Sequence, residues 1–326
     1  MAVKDAVLQA LEETRGARIS GGALAETLGV SRAAVWKAID ALRAGGLKID
    51  AVPGEGYLLE ADDDSLTEAG ISALLQTEAF GRSCLILPSL SSTNTVLKQD
   101  YLDRPHGFAL IAEEQTGGRG RLGRTFSSPA GTGLYLSMLL HPQLSLDRLN
   151  LLTIAAAVAV CDAIEQTAGF SPEIKWVNDV LMHGKKLCGI LTEATIEGET
   201  GAIGAVVVGI GINLRDNPAW PEEVRTVAGS LADFGTPPRR AVLAAAVLEQ
   251  FEHAYQLLES GDSAVLLERY RRRLCCIDKT VTVMTPAAKY EAICTGLDEN
   301  GHLLVQDAQG TAHTLSSGEI SIRLST

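Results

Sequence analysis

GGRGRLGR, Gly117–Arg124, holds a literal G-x-G-x-x-G at Gly118, Gly120 and Gly123. In a dinucleotide-binding fold such glycines follow a strand and open a helix, and an acid about 20 residues on holds the ribose. The upstream condition is met, because Phe108–Ala112 (FALIA) is strand-like. The downstream conditions are not. The loop runs into FSSPAGTG, Phe126–Gly133, a run of turn residues and helix breakers. An apolar strand, GLYLSMLL, Gly133–Leu140, follows and stops at His141-Pro142. No Asp or Glu occurs from Thr116 to Leu146. The stretch is therefore a cationic loop between two strands. Its glycines allow close backbone approach, and Arg119 and Arg121 offer forked donors to a carboxylate or phosphate. Taken alone, such a loop is as well explained by a solvated hairpin tip.

Two further stretches bear on that choice. IKWVNDVLMHGKKLCGILTEA, Ile174–Ala194, reads as a strand, an Asn178-Asp179 corner, a turn at His183-Gly184 and a second strand, Leu187–Thr192. Lys175 and Lys186 stand beside apolar neighbours, so each either snorkels outward or meets an anion. AVVVGIGINL, Ala205–Leu214, is an apolar strand whose Gly209 and Gly211 permit a flat ligand to approach the backbone. Asn213 stands at its mouth with a donor and an acceptor. Leu149–Phe170 and Pro238–Leu274 are expected to be helical, and Arg271–Arg273 to be a solvated helix end.

The first sixty residues have a different grammar. In SGGALAETLGVSRAAVWKAIDALRAGG, a short helix over Ala23–Leu28 turns at Gly29-Val30. Ser31 then caps a second helix that ends at Gly45-Gly46. Val35, Ile39 and Leu42 share its inward face, leaving Ser31, Arg32, Ala33, Trp36, Lys37 and Arg43 as candidate DNA contacts. LKIDAVPGEGYLLE supplies a hairpin around Pro53–Gly56, completing a winged helix. A protein-contact or spacer module has the same outline. The acidic run Ala61–Ser65 is expected to be a linker.

Composition narrows the classes. The 326 residues are 46% hydrophobic and 21% charged, an ordinary globular balance with room for several cores. The net charge of −12 argues against coating nucleic acid or anionic lipid, so any DNA contact must be local. The longest apolar run, near Ile154–Cys161, is short for a membrane span, and MAVKDAVLQALEE is no signal peptide. A cytoplasmic protein without membrane contact is expected. Its six cysteines show no metal-binding spacing and are expected to be reduced thiols, with no protein-held metal.

In their order along the chain, SSTN (Ser91–Asn94), EQTGGRGRLGR (Glu114–Arg124), KWVND (Lys175–Asp179) with KLCGIL (Lys186–Leu191), and GIGIN (Gly209–Asn213) resemble the bifunctional biotin protein ligases that double as biotin-operon repressors. TLGVSRAAVWK and PGEGY resemble that family's winged helix, and GEISIR (Gly318–Arg323) the end of its carboxy-terminal barrel. The resemblance covers nearly the whole chain. It implies an α/β (α+β) protein: a winged helix-turn-helix over 1–62, a mixed-sheet catalytic domain over 63–273, and a small SH3-like β-barrel over 274–326. Strand-like KTVTVM, YEAICTGL and HLLVQD support the barrel.

It also implies a two-step ligase. Biotin and MgATP give biotinyl-5'-AMP, and biotin then passes to a lysine of the carrier domain of acetyl-CoA carboxylase or another biotin-dependent carboxylase. An adenylate-bound homodimer is expected on operator DNA of biotin biosynthesis genes. By resemblance the catalytic residues are Lys186, Arg119 and Arg121. The biotin-binding residues are Ser92, Thr93, Asn94, Gln115, Gly118, Arg119, Gly120, Arg121, Lys186, Gly189, Gly209 and Gly211. The nucleotide-binding residues are Arg119, Arg121, Phe126, Asn178, Lys186 and Asn213. The loop is expected to be disordered when empty and to fold over the adenylate. Val177 stands where the family usually has proline, Phe126 where it often has tryptophan, and Cys188 where it has a small apolar residue. A lipoate-type ligase, a ligand-sensing repressor without ligase activity, and a ligase with a non-repressing winged helix remain as rivals.

Overall fold

The computed structural model describes residues 2–142, 144–145, 148–196, 203–285, 288–316 and 319–322. The chain divides into two compact units, Met1–Gln76 with Pro238–Ala245, and Thr77–Pro237 with Ala246–Thr326.

In the first unit, α1 (Val3–Glu13), α2 (Gly21–Leu28) and α3 (Arg32–Ala44) precede a hairpin of β1 (Ile49–Val52) and β2 (Gly56–Leu59), then α4 (Glu68–Leu74). Serines set both helix starts: Ser20 Oγ accepts from Ala23 N and Ser31 Oγ from Ala34 N. Gly29, at φ 63°, ends α2 and makes the turn. Val35, Ile39 and Leu42 are buried against Leu8, Leu11, Leu24 and Leu59. At the wing, a Cβ on Gly56 would lie 2.2 Å from the Ile19 carbonyl, and its φ is 108°, so only glycine suits. The winged helix is thus built as the sequence implies.

The acidic run is not a linker. Asp63 is buried, and its carboxylate accepts from Lys48 N, Ser65 N and Ser65 Oγ. Asp64 accepts from the backbone and side chain of Arg240. A carboxylate that satisfies several donors is part of the fold it caps.

The second unit contains β3 (Cys84–Leu87), α5 (Thr93–Asp100), β4 (Ala109–Ala112), β5 (Gly133–Leu140), α6 (Leu149–Ala168), β6 (Glu173–Lys175), β7 (Asp179–Met182), β8 (Lys185–Ile196), β9 (Ile203–Asn213), α7 (Glu222–Arg225), the part of α8 (Arg240–Glu259) from Ala246 on, and α9 (Ser263–Arg273). Among the described residues its large sheet has the order β3-β4-β5-β9-β8-β7-β6. β3 and β4 run parallel and the remaining pairs antiparallel. α5 packs on β4, β5 and β9, and α6 on β7, β8, β9 and α9.

α6 is apolar almost all round, as a helix enclosed on several sides should be, and Leu151–Ile164 are buried apart from Asp162. At 20 residues and mean hydropathy 1.5 it is long and apolar enough to cross a membrane by length and composition, more than the run Ile154–Cys161 suggested. Its apolar side chains are covered by sheet and α9 instead. The basic end of α9 is only partly solvated. Arg271 and Arg272 pair with Glu268 on their own helix, while Arg273 reaches Asp162 and Glu165 on α6.

The carboxy-terminal strands are β10 (Thr280–Met284), β11 (Lys289–Leu297), β12 (Leu303–Asp307), β13 (Ala312–Leu315) and β14 (Glu319–Ile322), in the order β13-β12-β11-β10-β14. All neighbours are antiparallel, consistent with a small SH3-like barrel. Gly318 and Arg323 of GEISIR lie outside the described residues. Trp176 Nε1 donates to the Gly301 carbonyl, tying this barrel to the KWVND corner. The Trp176–Val177 peptide is cis.

Candidate active site

The glycine–arginine loop is a closed hairpin. Gln115 N donates to Ser128 O, Phe126 N to Gly118 O and Gly120 N to Arg124 O, at 2.9, 2.9 and 2.7 Å. A short 3₁₀ turn over Arg121–Gly123 forms its tip, where Leu122 is 73% exposed. A Cβ on Gly118 would lie 2.2 Å from the Phe126 carbonyl and 2.8 Å from Ser128 Oγ, so this glycine lets the two arms touch. These bonds give the loop a defined form in the structure.

Behind the hairpin lies a small, partly open cleft. Ser92, Thr93, Asn94, Gln115, Arg119, Gly120, Arg121, Phe126, Asn178, Lys186, Gly189, Gly209 and Gly211 all line it. Of the expected ligand residues, Gly118 and Asn213 do not. Asn213 is buried and donates through Nδ2 to Gly229 O at 3.0 Å, bracing β9 against the segment that pairs with Lys186. Position at a strand's end could not distinguish an open mouth from one closed by residues 227–229.

Strand register builds the floor. Gly189 of β8 and Gly211 of β9 are directly opposite, as are Leu191 and Gly209. The Phe126 ring lies over the first pair: a Cβ on Gly211 would sit 2.6 Å from it, and one on Gly189 3.5 Å. A Cβ on Gly209 would meet Asn94 Oδ1 at 2.2 Å. Ile190, Leu191 and Ile210 add apolar wall. Below them Cys188 is fully buried, and burial pushes its thiol well above the ordinary range, so it stays protonated.

One wall is a directed hydrogen-bond chain. Ser137 Oγ lies 2.7 Å from Thr93 Oγ1 and 2.6 Å from Asn94 Oδ1. Thr93 donates through N and Oγ1 to Gln115 Oε1. Gln115 Nε2 donates to Ser128 Oγ, which donates to the Phe126 carbonyl. Asn94 Nδ2 donates to Leu191 O and Glu193 Oε2, leaving its Oδ1 with one lone pair beyond the Ser137 contact. The chain fixes both amide orientations.

Each cation of the cleft has its own partner. Lys186 Nζ is 2.7 Å from Asp179 Oδ1 across β7 and β8. Arg121 Nη1 donates to Asn178 Oδ1 at 2.9 Å, while Asn178 Nδ2 donates to Ile190 O. Arg119 is half exposed, with Nη1 3.6 Å from Glu193 Oε1. Burial raises the Glu193 carboxyl, but hydrogen bonds from Lys98 and Asn94 and the charges of Lys98 and Arg119 outweigh it and hold it below the usual range. Glu193, Lys98 and Asp179 were not among the expected site residues. Glu193 had a signal, since Gly189, Leu191 and Glu193 follow period two along β8.

Comparison with known proteins agrees with this geometry. Residues 86–213 match the biotin/lipoate A/B protein ligase family, residues 4–58 an HTH domain, and residues 276–323 the biotin protein ligase C terminal domain. The bifunctional ligase/repressor BirA of Bacillus subtilis is 35% identical over 295 residues, 90% of each chain. The chain belongs to the bifunctional biotin ligase/repressor family. BirA of Escherichia coli is 33% identical over 93% of this chain and 92% of its own. The ligase-family architecture extends to a solved structure, the biotin protein ligase from Aquifex aeolicus in complex with biotin and ATP. That structure superposes with a TM-score of 0.66 at 28% identity, covering 75% of this chain and 100% of that one.

Proposed function

We propose that the protein joins biotin to ATP in the cleft behind the hairpin, and passes the biotinyl group to a lysine of a carrier domain such as that of acetyl-CoA carboxylase. The observation that carries this reading is the convergence of Arg119, Arg121 and Lys186 on one cleft with an amide- and hydroxyl-lined wall. In the first step a biotin carboxylate oxygen attacks the α-phosphorus, and the bond to pyrophosphate breaks. Two unit charges 4 Å apart repel by ~4 kcal/mol at an effective dielectric of about 20, so cations must stand where the anions meet. The ATP is taken up as MgATP, whose magnesium neutralises phosphate charge.

Thr93, Gln115 and Ser92 suit biotin's ureido group, which presents two N–H donors and one carbonyl. Lys186 serves the carboxylate and α-phosphate. Arg121, steadied by Asn178, serves the phosphate, and Phe126 on its glycine floor offers an aromatic face to the base. In the second step the lysine Nε attacks the acyl carbon, the C–O bond to phosphate breaks, AMP leaves and the amine loses a proton. The hairpin shields the mixed anhydride from water until then. The test is transfer of labelled biotin, against labelled lipoate, to a purified biotin carrier domain with MgATP. Biotin labelling alone supports the reading; lipoate labelling alone overturns it.

The same reading gives the winged helix its task in the cytoplasm: an adenylate-bound homodimer repressing biotin biosynthesis genes. Ser31, which caps α3, and Arg32, Ala33, Trp36, Lys37 and Arg43 on it are all exposed. Arg43 is partly committed, donating through Nε to Ile49 O. A single head neutralises few phosphates, so two heads on two half-sites are needed for specific binding. Arg32→Ala combined with Lys37→Ala should weaken binding to the operator duplex at least about tenfold and flatten the slope of log K against log salt by about 2. Fluorescence anisotropy with biotin and MgATP measures both.

A further inference from the structure

Glu193 touches the cleft only through other residues. Its carboxylate receives Lys98 Nζ at 2.5 Å and Asn94 Nδ2 at 2.9 Å, both within hydrogen-bond range. The Arg119 guanidinium is its outer partner, at 3.6 Å and beyond that range. Arg119 can therefore leave without breaking a hydrogen bond to Glu193, whereas Lys98 and Asn94 cannot. Arg119 and Asn94 line the cleft, and Glu193 and Lys98 do not.

We propose that Glu193 is a positioning residue: it aims Asn94 into the cleft wall and parks Arg119 beside the cleft until a ligand carboxylate or phosphate draws the guanidinium across. The proposal rests on the biotin-ligase reading, because it needs an anionic ligand. Lys98 sets the strength of the parking site. By pairing with the Glu193 carboxylate it keeps the tether to Arg119 weak, so that an incoming anion outcompetes it. Without Lys98 the uncompensated carboxylate would hold Arg119 more firmly. Without the carboxylate, Arg119 would face the ligand unopposed, with the Lys98 charge uncompensated behind the wall.

Two substitutions separate these effects. In Glu193→Gln the amide oxygen still accepts from Asn94 Nδ2, so the wall is kept while the charge is lost. Lys98→Met removes the compensating charge and leaves Glu193 in place. The readout is calorimetric affinity for biotin and for biotinol, the neutral alcohol that shares the rings and chain. A merely structural role moves both ligands together. Glu193→Gln should tighten biotin relative to biotinol about three- to fivefold, and Lys98→Met should shift the ratio a similar amount the other way. An unchanged ratio in both variants, or a shift of the same sign in both, overturns the proposal. If Glu193→Gln does not fold, the Lys98→Met shift decides alone. A wild type that binds neither compound overturns the ligase reading, and this inference with it.

Discussion

Lys186→Ala should lower biotin-dependent ATP–pyrophosphate exchange by about 10²- to 10³-fold, the scale of deleting one preorganised electrostatic group from a reacting centre. The reason is a change of sign as well as a loss. Lys186 Nζ stands 2.7 Å from Asp179 Oδ1, so truncation turns a balanced pair into a lone carboxylate beside the cleft. That carboxylate repels the two anions that must meet. Lys186 is also fixed by its backbone, with N donating to Val227 O and Gly229 N donating to its carbonyl. A flexible cation elsewhere cannot take over that position. Far-ultraviolet circular dichroism should remain that of the wild type, since the side chain is one-third exposed and belongs to no core cluster.

Gly209→Val should reduce biotin affinity about 10- to 100-fold, the scale of forced overpacking, read by titration calorimetry. The new Cβ would lie 2.2 Å from Asn94 Oδ1 and 2.9 Å from its Cγ. Asn94 cannot simply turn aside. Its Nδ2 is committed to Leu191 O and Glu193, and Ser137 lies against its Oδ1. The displaced amide would disturb the chain through Ser137, Thr93 and Gln115, the wall assigned to the ureido group. Gly123 is a useful contrast: nothing lies within 4 Å of a Cβ there, and its requirement for glycine comes only from φ 73°.

The sequence made the cleft more legible than the contacts that stabilise it. The missing helix and missing acid after GGRGRLGR excluded a dinucleotide site, and the pairing of β5 with β4 and β9 agrees. SSTN, KLCGIL and GIGIN each carry several of the residues that share the cleft, and KWVND carries Asn178; strand register sets Gly189 against Gly211 and Leu191 against Gly209. Partners distant in sequence were less legible. Glu193 is 99 residues from Asn94, and no local pattern announces that an acid will meet an amide there. Asn213 fits a ligand mouth as well as it fits a brace until residues 227–229 are seen against it. Asp63 reads as linker because a run of acids usually is solvated; the backbone donors of Lys48 and Ser65 and the Ser65 hydroxyl give it a structural role.

On the proposed reading, two guanidinium groups and one ammonium let a carboxylate meet an α-phosphate in this cleft. A crystal structure of the protein with biotin and a non-hydrolysable ATP analogue tests it most directly. Arg119, Arg121 and Lys186 should stand at about 3 Å from carboxylate or phosphate oxygens, with the hairpin closed over them. Both ligands bound with the hairpin turned outward and those three side chains in solvent would contradict it.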